Sequence, residues 1–341
     1  MARQQEETRP SLVRWYVDTR QLTSSTSSLP LLDTLQPADK ETVTKFYHLS
    51  DRHMSLASYL LKYLFIHRTC RVPWNDIHIS RTPAPHRRPC FISSHGQVNI
   101  EFNVSHQASL VALAGTTLPP SISPPDAVFK QPIPSSTPIP SIPQTGIDIT
   151  CVDERRGSRP SSAPSTHQAL VEFVNIFAEV FSERELDTIR TARGPSLPPG
   201  IQKSEAEVQY GLRMFYTYWA LKEAYIKMTG EALLASWLRE LEFTNVIAPE
   251  PLEMAEQGSP WGQPYTAIKT TLRGELVEDV RVEIVAFGKD YLIATAARGG
   301  GIGSGSRAVE RLEGADPWHT LVKIDIEWDI RRCATGSCSC L

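Results

Sequence analysis

The chain has 341 residues, 41% of them hydrophobic and 21% charged, an ordinary globular composition that excludes a wholly disordered, collagen-like or coiled-coil protein. No run approaches 18 consecutive apolar residues and the opening MARQQEETRP has no apolar core, so a soluble cytoplasmic protein without transmembrane helix or signal peptide is expected. Net charge is −3, yet residues 1–117 sum to +4 and the remainder to −7; without long Lys/Arg runs, this suits a discrete anionic ligand better than a nucleic-acid track.

In chain order, Leu12 to Val17 is an apolar, β-prone run that reads as a strand. Between Ser55 and His67, Leu56, Tyr59, Leu60, Tyr63 and Leu64 follow helical spacing. A loop rich in Pro, Arg and His (Arg71 to Pro89) leads to the alternating run Val98, Ile100, Phe102, Val104 and then to Leu110–Ala114, a hairpin. Nine of the 26 prolines fall between Leu118 and Pro143, too many missing N–H donors for a packed element, so residues 118–145 are expected to be a linker or insertion.

Gly146 to Val152 is a third short strand, followed by a loop (Arg155 to Thr166) and an amphipathic helix carrying Leu170, Phe173, Val174, Phe177 and Phe181. A breaker cluster, Gly194 to Gly200, precedes a long helix from Glu205 to Met228 that Gly230 stops. Strands return at Leu241–Val246, Val280–Phe287 and Tyr291–Ala297. The pattern is α+β and admits an internal duplication, with units at 1–117 and 146–298 and a Gly-rich tail at 299–341. Within that tail Gly303, Gly305 and Ala308 match a dinucleotide-binding fingerprint, but the preceding strand belongs to an antiparallel set, so a flexible tail is expected instead.

The six cysteines contain no CxxC pair and no His at zinc-ligand spacing, and reduced thiols are expected. The terminal Cys338-Ser339-Cys340-Leu341 formally matches a prenylation box, without aliphatic middle positions or a polybasic approach.

Two segments place charge where burial is expected. In Gly146-Ile147-Asp148-Ile149-Thr150 the isoleucines take the core face and Asp148 the opposite one. An Asp inside a short apolar strand is either a ligand or catalytic group or a capping residue. In the helix, steps of four residues turn by about 40° net, so Trp219, Glu223 and Lys227 share a face; an ordinary i, i+4 ion pair is the competing reading. Together Asp148 and Glu223 would suit Mg²⁺ with a cationic neighbour. Ser105 and His106 are adjacent on a strand and point to opposite faces, which disfavours a nucleophile–base pair and leaves phosphate contact or turn capping for His106. Arg81, Arg87 and Arg88 could offer guanidinium forks to phosphate or be solvated loop charges.

In this order and spacing, FNVSH (Phe102 to His106), GIDI (Gly146 to Ile149), FSERE (Phe181 to Glu185) and WALKEAYIK (Trp219 to Lys227) resemble the 4′-phosphopantetheinyl transferases of the surfactin-synthetase (Sfp) type. The similarity runs from about Leu12 to Ala297 and is greatest to the broad-range cytosolic enzymes of filamentous fungi. The resemblance implies two similar α+β subdomains related by a pseudo-twofold, with coenzyme A and Mg²⁺ (or Mn²⁺) in the cleft between them. It implies transfer of phosphopantetheine from coenzyme A to a serine of an apo carrier protein, with adenosine 3′,5′-bisphosphate released. The carriers would belong to polyketide synthases, nonribosomal peptide synthetases, fatty acid synthase or aminoadipate reductase, and the enzyme would be monomeric.

By residue match, Asp148 and Glu223 would hold the metal and Lys227 would neutralise or protonate the departing phosphate. Ser105, His106, Arg81, Arg88, Lys45 and Arg52 would contact coenzyme A. Thr150 stands where bacterial members have a metal-binding Glu, so water is expected to complete the metal shell. Asp39 and Met54 stand where other members have Lys or Arg. The rival reading is a non-catalytic coenzyme A or carrier-protein binding scaffold that uses the Pro-rich segment for docking.

Overall fold

A computed structural model describes residues 11–92, 98–117, 143–153, 164–192, 203–231, 235–253, 259–303 and 316–341. The Pro-rich segment up to residue 142, the breaker cluster Gly194 to Gly200 and the fingerprint residues Gly305 and Ala308 lie outside the described residues.

The first unit comprises β1 (Ser11–Asp18), α1 (Arg20–Ser25), α2 (Pro37–Thr44), α3 (Leu49–Cys70), β2 (Ser80–Arg81), β3 (Pro89–Ile92), β4 (Val98–Gln107) and β5 (Leu110–Thr117). The second holds β6 (Gln144–Cys151), α4 (His167–Asn175), α5 (Glu183–Arg190), α6 (Lys203–Thr229), β7 (Leu241–Thr244), β8 (Lys269–Leu272), β9 (Glu275–Leu276), β10 (Val280–Phe287) and β11 (Tyr291–Arg298). The chain then returns to the first unit with β12 (Trp318–Lys323) and α7 (Arg331–Ala334).

Alternation along the strands builds the layers. In the six-stranded sheet β12-β1-β5-β4-β3-β2, Val17, Phe102, Val111 and Leu113 pack with Leu56, Leu60, Leu64 and Phe65 of α3. The opposite face, with Leu12, Tyr16, Leu110, Ala112 and Ala114, packs against Ile147, Ile149, Val285, Phe287 and Ile293 of the antiparallel sheet β10-β11-β6. The far side of that second sheet, carrying Val282, Ile284, Leu292, Ala294 and Ala296, is covered by α6. The result is helix, sheet, sheet, helix. A small sheet, β7-β8-β9, flanks α5 and α6.

The expected helix through Phe181 is shorter than its periodicity suggests. It ends at Asn175, and Phe173, Phe177 and Phe181 still reach one aromatic cluster with Phe215 and Trp219. Ser182 and Glu185 then start α5 with a reciprocal capping box.

The expected tail is not free over its described part. Trp15 and Tyr16 pair in parallel with Val322 and Lys323, and Ile324, Ile326, Ile330, Cys333 and Ala334 are buried in the α3 core. The β-prone run Trp318-His319-Thr320-Leu321-Val322 and the apolar spacing after it are the local reason.

Charges join the sheets as well. Arg14 of β1 bonds Glu283 of β10 at 2.5 Å, with 4% and 3% of their side chains exposed. Arg281 bonds Asp316 at 2.6 Å and approaches Glu283 at 3.4 Å, and both guanidiniums stack on Trp318. Removing Glu283 would leave buried cations without their shared carboxylate. Glu283→Ala is therefore expected to lower stability by about 3–5 kcal/mol, read as a fall in the urea midpoint; an unchanged midpoint would refute the bridge's role.

Candidate active site

β6 is an edge strand whose outward N–H groups need acceptors. β4 supplies them from side chains: Asn103 Oδ1 accepts from Ile147 N at 3.2 Å, Ser105 Oγ from Ile149 N at 3.2 Å and Gln107 Oε1 from Cys151 N at 2.8 Å. The FNVSH strand therefore faces Asp148 without pairing to its strand by backbone.

On the other side of β6, a Cβ at Gly146 would stand 2.1 Å from the Ala224 carbonyl oxygen and 2.4 Å from the Met228 nitrogen. Only glycine lets α6 come this close. That approach brings Lys227 to the carboxylate: its Nζ lies 2.7 Å from Asp148 Oδ1 and 3.0 Å from Ser105 Oγ. Ser105 Oγ also stands 3.2 Å from Asp148 Oδ1, and the Thr150 hydroxyl donates to Asp148 Oδ2 at 2.8 Å. Asp148, Ser105 and Thr150 are buried, while 27% of the Lys227 side chain remains exposed.

Burial and the charge of Asp148 raise the Glu223 pKa, partly offset by Lys227. The two carboxylates thus feel one another, and a divalent cation would relieve the conflict. Their all-oxygen donor chemistry suits a hard ion completed by water and substrate oxygens. The exposed His106 points away from Ser105, and desolvation with the charges of Lys62 and Lys227, opposed by Asp51, lowers its pKa, which favours the neutral imidazole.

The other expected ligands fall into three places. Arg81 is exposed, with its guanidinium on the Arg87 carbonyl at 3.1 Å. Arg88 does not match the expected phosphate contact: it is buried, forks onto Glu101 at 2.7 and 3.1 Å and donates to the Thr229 carbonyl at 3.0 Å. There it caps the C-terminus of α6, a favourable place for a cation. Lys45 and Arg52 meet at Phe46, one over its ring at 5.5 Å and one on its carbonyl at 2.6 Å. Asp39 accepts from Tyr63 at 2.6 Å.

Lys62 is a residue the sequence reading missed. Burial and Arg81, opposed by Asp39, lower its pKa to about 8; a lysine within the apolar run of α3 was its only signal.

The remaining motif residues are structural. Lys222 and Glu185 form a fully buried pair at 2.8 Å, and Glu185 also accepts from the Phe243 and Ser182 nitrogens. Trp219 joins the aromatic cluster.

Residues 22–118 match the profile described as 4′-phosphopantetheinyl transferase, N-terminal, and residues 144–294 match that of the 4′-phosphopantetheinyl transferase superfamily. The chain is 62% identical to 4′-phosphopantetheinyl transferase A of Aspergillus fumigatus, covering 100% of this chain and 99% of the relative. The chain belongs to the 4′-phosphopantetheinyl transferase family. It is also 54% identical to the 4′-phosphopantetheinyl transferase NpgA of Emericella nidulans, over 98% of this chain and 97% of that one. The human L-aminoadipate-semialdehyde dehydrogenase-phosphopantetheinyl transferase is 27% identical over 77% of this chain and 67% of its own.

The raised Glu223 pKa has a consequence for stability. A carboxyl whose folded pKa exceeds its ordinary value of 4.5 stabilises the fold when protonated, and that contribution is lost as pH rises through the folded pKa. Metal-free Glu223→Gln should therefore melt above the wild type at pH 7, with the gap closing below about pH 4.5. A lower melting temperature at pH 7 would show that Lys227 already compensates the charge.

Proposed function

We propose that the chain transfers 4′-phosphopantetheine from coenzyme A to the serine hydroxyl of apo carrier proteins in an Mg²⁺-dependent reaction at Asp148, Glu223 and Lys227. The observation that carries this reading is the meeting of a buried strand carboxylate with a partly exposed helix ammonium, 2.7 Å apart, where the two sheets abut.

In the proposed reaction the serine oxygen attacks the pyrophosphate phosphorus that bears the pantetheine arm. The bond to adenosine 3′,5′-bisphosphate breaks in line. Such a displacement needs positioning and charge neutralisation more than covalent help. Mg²⁺, or Mn²⁺, held by Asp148 and Glu223, would supply charge stabilisation on the phosphate oxygens. Lys227 neutralises or protonates the departing phosphate, and Glu223 is the proposed acceptor of the serine proton. Thr150 fixes Asp148 by its hydroxyl and leaves water to fill the place a second carboxylate takes elsewhere in the family.

Lys62, Arg81 and His106 are the proposed contacts for coenzyme A phosphates, extended by Lys45 and Arg52. We read the two helix-on-sheet units as related by a pseudo-twofold with this cleft between them. The proposed carriers are those of polyketide synthases, nonribosomal peptide synthetases, fatty acid synthase and aminoadipate reductase, the last in line with the human relative's name. The proposed enzyme is a cytoplasmic monomer.

Conversion of apo to holo carrier protein, followed by mass shift, tests the assignment. Asp148→Ala and Glu223→Ala should abolish it with the circular dichroism spectrum preserved, and near-normal turnover in either would exclude the metal site. Lys227→Ala should lower kcat more than it raises KM for coenzyme A; the reverse would make Lys227 a binding residue only.

A further inference from the structure

A second group of chemically competent side chains lies where the C-terminal segment meets the end of α3. His67 of α3, Cys333 of α7, and Cys338 and Cys340 beyond it each offer one donor atom, and all four lie within 4.8 Å of one another. Linear spacing hid this group, because His67 and Cys338 are 271 residues apart. With no CxxC pair and no His at zinc-ligand spacing, the sequence therefore did not reveal it.

The distances fit one metal. A tetrahedral Zn²⁺ with Zn–S near 2.3 Å holds its sulfur ligands about 3.8 Å from each other, and the Cys333 and Cys340 sulfurs are 3.8 Å apart. The thiols are free of disulfides.

His67 is already set as a ligand. Its Nδ1 lies 2.7 Å from the Val72 carbonyl oxygen, which can only accept, so Nδ1 carries the hydrogen and Nε2 turns its lone pair to the sulfurs. Nε2 is 3.1 Å from Cys338 Sγ. A carbonyl that orients the imidazole in this way is the usual second partner of a metal-bound histidine. The backbone provides it: Arg71 in a left-handed conformation ends α3, and Val72 follows directly.

Charge agrees. Three thiolates and a neutral imidazole around Zn²⁺ carry a net −1, and arginines are in place to meet it. Arg68 neighbours Cys333 and its Nε is buried with no hydrogen-bond partner among the described residues; a thiolate would be a stronger acceptor for this guanidinium than a neutral thiol. Arg71 donates to the Cys340 carbonyl.

We propose that His67, Cys333, Cys338 and Cys340 bind one Zn²⁺ as a closed, structural S₃N site that fastens the C-terminal segment to α3. Four protein donors leave no open position for substrate, and soft sulfur ligands exclude Mg²⁺ or Ca²⁺. Binding releases the three thiol protons to solvent. Cys338 is then a ligand and not a prenylated residue.

Full-length protein, produced in zinc-supplemented medium and purified in reductant without chelator, is examined by native mass spectrometry and elemental analysis. One zinc per chain is expected, absent from the denatured spectrum and lost in His67→Ala and in Cys338→Ser/Cys340→Ser. Stripped wild-type protein titrated with Co²⁺ should develop thiolate-to-cobalt charge transfer and tetrahedral d–d absorption. Chelator should lower the wild-type melting temperature by about 5 °C or more and leave the double variant unmoved. Only a trace of zinc together with no cobalt spectrum would overturn the proposal, as would an intact mass showing Cys338 prenylated or the cysteines joined in a disulfide. The wild-type metal content and cobalt spectrum decide the matter even if a variant fails to fold.

Discussion

Strand β6 has four sides and each is occupied by a different kind of contact. One edge bonds the backbone of β11, the other takes three side-chain acceptors from β4, one face enters the core between the sheets, and the last meets α6 across Gly146. An unpaired N–H in such a place costs about 1–3 kcal/mol, so three in a row would not tolerate a shift of β4. The strand cannot slip by one residue either, because that would carry Asp148 into the apolar core. The position of Asp148 therefore follows from satisfying backbone donors.

The helix segment Trp219 to Lys227 divides its labour by angle. Lys222 and Glu223 are one residue apart and point about 100° from each other. One neutralises buried Glu185 and donates to the carbonyls of Leu238 and Leu241; the other faces Asp148. A change at Lys222 would damage the fold beneath Asp148, whereas a change at Glu223 or Lys227 alters the charge beside that carboxylate.

Much of this was legible from the chain alone, because strand alternation and helix spacing are local. The hairpin β4–β5, strand β6, helix α6 and the isolation of Asp148 on a polar face all follow from period and residue type. What escaped is long-range. Arg88 reads as a loop cation until Glu101 and the end of α6 are seen around it. Thr150 reads as a missing ligand, and its hydroxyl holds Asp148. His67 reads only as the end of the α3 run, and its cysteine partners lie more than 260 residues further along the chain.

That closure has a kinetic side. The parallel ladder between β1 and β12 pairs Leu12 with Trp318, so the first sheet keeps an open edge on that side until the chain has been made past residue 318. Until then β1 has no partner on that side, and the apolar face of α3 that Ile326 and Ile330 cover is bare. Such non-local pairing is slow to form and leaves sticky intermediates. The unit that opens with β1 is thus closed only after the strands of the second unit have been made.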